Sequence, residues 1–307
     1  MKNILFLNHK QKQCGVYQYG YRSAMILKKS RKYNFIYCEI ENETELVQSI
    51  EAHNPSAIIY NYVSATMGWL NKDILLNFKN IPHYGIYHEG NEHLNGAFDK
   101  YIIIDSTFVD SDKRYSIPRP LFEGYQTTNI IPSIPTIGSF GFGFHNKGFE
   151  NLVKLVNKEF DEAIIRLHIP SAFYGDASGD IYKSIAYACQ SHITKPGINL
   201  SITHDFLTDH QVLEFLSGNT VNAFLYDNMV GRGLSSVIDY ALSVRRPIAI
   251  TNSYMFRHIS NANPSICIEK VSLHEIMNRS GEELNQYRDI YSNEKFIAKY
   301  EQIMDGA

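Results

Sequence analysis

The stretch from residue 224 to residue 250 combines features that suit the binding of a phosphate group. Phe224-Leu225-Tyr226 is an apolar run, and a polar turn that contains Gly231 and Gly233 follows it. Apolar residues then recur at helical spacing from Leu234 to Leu242, and Pro247 opens another apolar run. The pattern predicts a strand, a glycine turn, a helix and a second strand.

The predicted turn has donors and acceptors in an order that fits a nucleotide. The backbone N–H groups of a first helical turn are unpaired, and the helix dipole adds positive charge there, so the turn suits a phosphate. Ser235 and Ser236 add hydroxyl donors, and Asp239 lies one turn further along, off the apolar stripe, where it would accept from a ribose. The alternative is an ordinary strand-helix connection with a solvated Asp.

Two cations are further candidates for phosphate binding. Lys147 lies just ahead of a predicted helix, where a lysine is electrostatically unfavourable unless an anion is near. Gly143 belongs to the glycine-rich strand end that precedes it. Arg232 stands between two glycines, and a guanidinium binds phosphate well, although a solvated turn residue is the alternative.

Polar residues also follow the predicted strands of the amino-terminal half. The residues at these strand ends, most of them polar, are Asn8, His9 and Gly15, then residues 61–64, residues 88–91, and Ser106. Ligands of parallel sheets collect at the carboxyl ends of the strands, so these residues are predicted to lie together. His88 is the candidate for a role in the site, against a half-buried histidine with satisfied hydrogen bonds. Gly15 is expected to leave room for a ligand near the backbone.

Acidic residues and a second histidine, Glu89, Glu92 and His93, follow His88. Their spacing matches no zinc pattern. We therefore predict no metal site and no cofactor other than a substrate.

Short apolar runs alternate with helical patterns along the chain, which indicates parallel sheets covered on both faces. The length of 307 residues suits two domains. The alternation restarts after a proline-containing segment without helical period. We therefore predict an amino-terminal domain at 1–120, a connection at 121–135, a carboxy-terminal domain at 136–290, and a final helix at 291–307 that returns to the first domain.

Composition excludes several classes of protein. The net charge of −3, without long runs of one sign, argues against a nucleic-acid partner. No segment has the roughly 18 continuous apolar residues of a spanning helix, so membrane contact is expected to be peripheral at most. Four scattered cysteines suit a reducing compartment and predict a cytoplasmic location.

Four places in the chain resemble motifs of the GT-B glycosyltransferases, most closely the retaining family 4 enzymes. They are Gly15-Val16 with Tyr19, His88-Glu89, Lys147-Gly148, and Gly233-Leu234 to Asp239 with Pro247. The resemblance covers nearly the whole chain. It implies two Rossmann-like α/β domains whose parallel sheets face a central cleft, the first on the acceptor side and the second binding the donor.

The resemblance also implies an activity. The chain is expected to move a sugar from a nucleoside-diphosphate sugar to a glycan or lipid-linked acceptor, with retention and without metal, as in polysaccharide biosynthesis. It implies that His88 contacts the donor sugar. Catalytic roles are expected for His88, Lys147 and Arg232, and nucleotide-sugar binding is expected for Gly15, Gly143, Lys147, Arg232, Gly233, Leu234, Ser235, Ser236 and Asp239.

The chain departs from the family pattern in two respects. Phe142 stands where the family commonly has an arginine before the lysine, and the two family glutamates lack counterparts at their spacing. Asp239 is the nearest substitute for the second glutamate, and Arg232 is a replacement for the missing charge. These departures keep open a non-catalytic sugar-nucleotide or glycan-binding module on the same fold. A sugar-nucleotide epimerase, which shares the architecture, is a second alternative.

Overall fold

The computed structural model describes residues 1–89, 96–127, 129–171, 175–176 and 178–306. Its strands are β1 (Lys2–Asn8), β2 (Tyr33–Glu39), β3 (Ala57–Asn61), β4 (His83–Tyr87), β5 (Lys100–Ile103), β6 (Arg114–Ser116), β7 (Thr136–Phe140), β8 (Ala163–His168), β9 (Ile198–Thr203), β10 (Val221–Phe224) and β11 (Ile248–Ile250). Its helices are α1 (Gly15–Leu27), α2 (Glu43–His53), α3 (Ser64–Met67), α4 (Lys72–Leu76), α5 (Phe149–Glu159), α6 (Asp180–Ser191), α7 (Asp209–Ser217), α8 (Val237–Ser243), α9 (Leu273–Met277), α10 (Asn285–Ile290) and α11 (Asn293–Asp305). Within the described ranges, no helix has both the length and the apolar character needed to cross a membrane.

The strands form two parallel sheets, each in its own compact unit. The first unit contains Met1–Pro120, Gly231–Leu234 and Ile290–Ala307, and its sheet has the order β2-β1-β3-β4-β5-β6. The second contains Leu121–Val230 and Ser235–Asp289, with the order β11-β10-β7-β8-β9. All pairs between these strands are parallel. The predicted class of two Rossmann-like α/β domains is confirmed.

Two segments group differently from the sequence-based division. Residues 121–135, predicted to be a connection, belong to the second unit, where Arg246 Nη2 donates to the Asn129 carbonyl oxygen at 2.9 Å. Residues 231–234, predicted to belong with the donor domain, are part of the first unit, because Glu89 binds their backbone. Both placements rest on pairings between residues far apart in the chain, which local sequence patterns do not encode.

The first sheet is covered on both faces, as its continuous apolar strands predict. Ile4 and Phe6 of β1 pack in one core cluster together with residues of α1 and α11. Leu5 and Leu7 point to the opposite face and pack with residues of α2. None of the four is more than 1% exposed, and burying each contributes about 1.5–3 kcal/mol.

The carboxy-terminal helix α11 packs within the first unit. Ser30 Oγ donates to Glu301 Oε1 at 2.6 Å, and Tyr33 Oη donates to Asp305 Oδ1 at 2.8 Å. Phe296 and Tyr300 of α11 are fully buried in the same cluster as β1. The last residues of the chain therefore complete the core of the unit that its first residues begin.

The second sheet reverses its strand order at β7. Strand β8, the next in sequence, lies on one side of β7, and β10 lies on the other. The connection after β7 runs to β8 on one side and the connection after β10 runs to β11 on the other, and such a reversal leaves a crevice at the carboxyl ends of β7 and β10. Ligands of open α/β sheets bind at such a point, so the residues there are candidates for a binding site.

Candidate functional site

In the second unit, Lys147 and Tyr226 meet beyond the carboxyl ends of β7 and β10. Tyr226 follows β10 by two residues and is 2% exposed, while Lys147 ends a short 3-10 helix ahead of α5. Lys147 Nζ lies 4.1 Å from the centroid of the Tyr226 ring. An aromatic face attracts a cation through its quadrupole, so the ring holds the ammonium in a defined position.

The charge of Lys147 has no acidic partner within 4.0 Å among the described residues. The nearest acid in sequence, Glu150, faces His192 at 3.5 Å instead. Helix α5 starts two residues after Lys147, and its N-cap Gly148 offers no side-chain hydrogen bond to the first turn. An unbalanced cation beside uncapped helical N–H groups is a suitable place for an anion.

Tyr226 is fixed by its neighbours. Ser235 Oγ donates to its hydroxyl oxygen at 3.4 Å, and the Phe256 ring centroid lies 4.8 Å from its own. A Cβ on Gly141 would lie 3.4 Å from the same hydroxyl, so the glycine brings the end of β7 close to the ring. Sequence reasoning did not select Tyr226. The available signal was an aromatic residue directly after a buried strand.

The turn predicted to bind phosphate has a different structure. Helix α8 begins at Val237, not at Leu234, and has only seven residues. The backbone N–H of Ser235 donates to the Met255 carbonyl oxygen at 3.1 Å, and the Ser236 carbonyl accepts from the backbone N–H of Asp239 at 3.0 Å. The N–H groups of Ser235 and Asp239, two of the donors that the sequence predicts to be open, are therefore bound within the protein.

Asp239 is buried in the second unit, with 1% of its surface exposed. This excludes the solvated aspartate that was the alternative at this position. The sequence predicts that Asp239 faces a ligand as a ribose acceptor. In the structure its side chain is covered by protein, as is the apolar stripe of α8. Val237, Ile238 and Tyr240 on the same helix are buried as well.

Arg232, Gly233 and Leu234 lie in the first unit. Arg232 Nη2 is 3.0 Å from Glu89 Oε1, and the N–H of Gly233 donates to Glu89 Oε2 at 3.0 Å. A Cβ on Gly233 would lie 1.8 Å from the His88 carbonyl oxygen, so only glycine permits this approach. Leu234 is 8% exposed and packs as a core residue. The carboxylate of Glu89 therefore balances the positive charge of Arg232, which the sequence predicts to bind a phosphate.

His88 lies beyond β4 in the first unit, where its ring is held by polar and aromatic partners. Nε2 is 2.8 Å from Asn61 Oδ1, and the Tyr19 ring packs edge-on with a centroid separation of 5.1 Å. Burial, together with the smaller effects of Arg119 and His9, lowers the pKa of His88 to about 3. The imidazole is consequently neutral at physiological pH.

The two predicted glycines have different surroundings. Gly15 opens α1, and a Cβ there would meet nothing within 4 Å, so space is open at this helix start. The N-cap Cys14 makes no side-chain cap. Gly143 instead packs against α6, since a Cβ there would lie 2.3 Å from Tyr182 Cβ. The structure accounts for Gly143 by packing.

Over the parts of the chain that the structure describes, no group of three or more His, Cys, Asp and Glu side chains could hold a metal ion. Glu92 and His93 lie outside the described residues.

No protein-family model matches the sequence, and neither does any curated protein. Solved structures do match. A glycosyltransferase from Rickettsia africae superposes with a TM-score of 0.66 at 10% identity, covering 98% of this chain and 97% of its own. HepE from Anabaena in complex with UDP-glucose superposes with a TM-score of 0.67 at 10% identity, covering all of both chains.

The lipopolysaccharide outer core galactosyltransferase WaaB superposes with a TM-score of 0.60 at 11% identity, covering 100% of this chain and 99% of its own. These proteins are GT-B glycosyltransferases. The predicted resemblance to the GT-B fold is thus confirmed. At such identities the matches establish the fold and do not distinguish the family 4 subtype.

Proposed function

We propose that this chain is a glycosyltransferase that uses a nucleoside-diphosphate sugar as donor. The observation that carries the proposal is the Lys147 ammonium, held 4.1 Å over the Tyr226 ring at the strand-order reversal with no carboxylate partner in the described sequence. Its neighbour, the uncapped start of α5, offers backbone donors. The fold shared with HepE, which was solved with UDP-glucose, supports the same ligand class.

Lys147 would act on the leaving group. In glycosyl transfer the bond between the anomeric carbon and the diphosphate oxygen breaks, and negative charge grows on the diphosphate. A fixed ammonium stabilises that charge more in the transition state than in the ground state, which is the requirement for catalysis. Because the Tyr226 ring already positions the ammonium, little reorganisation is needed as the charge develops.

His88 has the properties of a hydrogen-bonding residue. With a pKa of about 3 it is a weak base at neutral pH, far from the value that suits proton transfer there. We assign it a contact with a sugar and not the deprotonation of an acceptor. A neutral His88 fits retention of configuration, which we include in the proposal with a glycan or lipid-linked acceptor. The four free cysteines support a cytoplasmic location.

The proposal is tested by nucleotide titration followed by a turnover assay. Calorimetry with UDP, ADP and GDP should give saturable binding of at least one, and release of that nucleoside diphosphate from its sugar conjugate should follow over time. Absence of binding to all three contradicts the proposal. Binding without release or transfer indicates the non-catalytic alternative. The Glu89–Arg232 ion pair favours that alternative, because Arg232 is one of the predicted catalytic cations and its charge is paired with a carboxylate. Interconversion of nucleotide sugars without acceptor identifies the epimerase.

Chelation should leave activity unchanged. In the proposal, Lys147 and the backbone N–H groups of α5 stabilise the leaving diphosphate, so a divalent cation is not required for that charge. Donor hydrolysis measured with excess EDTA and with added Mg²⁺ or Mn²⁺ should agree within the error of the assay. Loss of hydrolysis in EDTA with rescue by one of these ions would show that a metal ion stabilises the leaving diphosphate.

A further inference from the structure

Three strand ends of the first sheet are joined by a buried chain of amide side chains. Asn8 ends β1 and Asn61 ends β3, and both are 0% exposed. Asn61 Nδ2 donates to Asn8 Oδ1 at 2.8 Å and to the Val16 carbonyl oxygen at 2.8 Å. Asn61 Oδ1 faces His88 Nε2 at 2.8 Å. The chain therefore links the start of α1 to His88.

Backbone groups determine the orientation of both amides. The Val16 carbonyl can only accept, so the side of Asn61 that faces it must be the NH2 group. Asn8 Nδ2 donates to the Tyr17 carbonyl at 3.0 Å, and the His9 N–H donates to Asn8 Oδ1 at 3.0 Å. Neither amide can be reversed without placing two acceptors or two donors against each other.

The orientation of Asn61 decides the hydrogen position on His88. Asn61 presents its carbonyl oxygen, which can only accept, so Nε2 must carry the hydrogen. In a neutral imidazole the other nitrogen, Nδ1, then has a lone pair and acts only as an acceptor. No hydrogen-bond partner of Nδ1 occurs in the described residues.

The surroundings of the ring keep it neutral. Burial of the ring disfavours a second proton on His88, and so does the charge of Arg119, which is 6% exposed and lies 5.4 Å from the centroid of the Tyr19 ring. Glu89, the adjacent carboxylate, binds Arg232 and the N–H of Gly233. Thus no carboxylate among the described neighbours stabilises an imidazolium.

The helix that covers the network makes room for it. Gly20 of α1 faces both amides, and a Cβ there would lie 2.3 Å from Asn61 Nδ2 and 2.9 Å from Asn8 Nδ2. A residue larger than glycine would displace Asn61 from the position in which it bonds to His88.

We infer that Asn61, supported by Asn8, is a positioning residue that holds His88 as the Nε2–H tautomer, so that Nδ1 accepts a hydrogen bond from a hydroxyl of the donor sugar. The assignment of the ligand group rests on the proposed function. Because Nδ1 of this tautomer only accepts, its partner must be a hydrogen-bond donor. An ionised phosphate or carboxylate oxygen cannot donate, whereas a sugar hydroxyl can.

The tautomer is measurable by NMR on the full chain labelled with ¹⁵N histidine, with the His88 signals assigned by their absence in His88→Asn. At neutral pH, Nε2 should appear protonated and Nδ1 unprotonated. A protonated Nδ1, or an imidazolium, overturns the inference. This measurement needs no ligand, so it is independent of whether the chain binds nucleotides.

The positioning role is tested by Asn61→Asp. A carboxylate against Nε2 favours the imidazolium, so the pH at which His88 titrates should rise by about 1 unit or more. Asn34→Asp, an exposed change on β2, is the matched control and should leave the titration of His88 unchanged. A titration unmoved in folded Asn61→Asp contradicts the role of Asn61. If Asn61→Asp does not fold, the tautomer of His88 in the parent protein decides between the two outcomes: a protonated Nε2 supports the role of Asn61, and a protonated Nδ1 contradicts it.

The ligand assignment is tested with UDP-glucose, with UDP as its control and calorimetry to establish saturation. UDP-glucose should shift the Nδ1 resonance of His88, and UDP should not. An unchanged Nδ1 resonance in protein saturated with UDP-glucose overturns the sugar hydroxyl as partner. If neither ligand binds, the nucleoside diphosphate that does bind and its glucose conjugate replace them. Binding of none of UDP, ADP and GDP counts against the proposed function, and the tautomer measurement then decides on Asn61.

Discussion

Lys147→Ala is expected to weaken the binding of a nucleoside diphosphate roughly ten-fold or more, because a charge-assisted hydrogen bond contributes about 1.5–3 kcal/mol. The Tyr226 ring holds the ammonium in place, so little side-chain entropy offsets this contribution. The loss should be larger for UDP than for UMP, because the monophosphate lacks the second phosphate. Titration calorimetry with the two ligands measures both effects.

The matched control for this prediction is Lys154→Ala. Lys154 lies on α5, seven residues after Lys147 in sequence, and is exposed. Its removal lowers the net charge by the same amount without touching the Tyr226 ring, so UDP affinity should change little. Equal losses in both variants would indicate a general electrostatic effect. Parent-like affinity in folded Lys147→Ala would show that the diphosphate binds elsewhere.

Gly148→Ala is expected to destabilise the second unit strongly. Gly148 has a φ of 67°, and a Cβ there would lie 1.7 Å from the Leu225 carbonyl oxygen, a backbone atom next to β10. The left-handed conformation costs an alanine about 1–2 kcal/mol, and forcing the backbone apart adds about 1–3 kcal/mol. The sum of about 2–5 kcal/mol is a large part of a typical unfolding free energy of about 5–15 kcal/mol.

Urea unfolding of Gly148→Ala should therefore show a clearly lower midpoint than the parent protein. Gly15→Ala is the control, because a Cβ on Gly15 meets nothing within 4 Å and alanine suits the start of α1. Its midpoint should equal or exceed that of the parent. Gly148→Ala with a parent-like midpoint would contradict the close approach of Gly148 to Leu225.

The residues selected from sequence fall into two groups in the structure. Lys147 and His88 lie where charge and hydrogen bonding remain available to a ligand, and Gly15 borders open space. Gly143 and Leu234 are explained by packing. Arg232 and Gly233 are bound by Glu89, 144 residues from Gly233 in sequence. The first group carries a signal in local sequence, such as a lysine ahead of a helix, whereas the partners of the second come from distant segments.

The sequence by itself determined the two parallel sheets, because apolar runs and helical periodicity reflect local burial and each run became a covered strand. It also placed Asn8, Asn61 and His88 at strand ends, since parallel strands align their carboxyl ends. Only the tertiary structure decided that Tyr226 holds Lys147, that Asp239 is buried, and that Asn61 sets the tautomer of His88. Each of these depends on distances between side chains from separate elements, and such distances follow from packing and not from spacing along the chain.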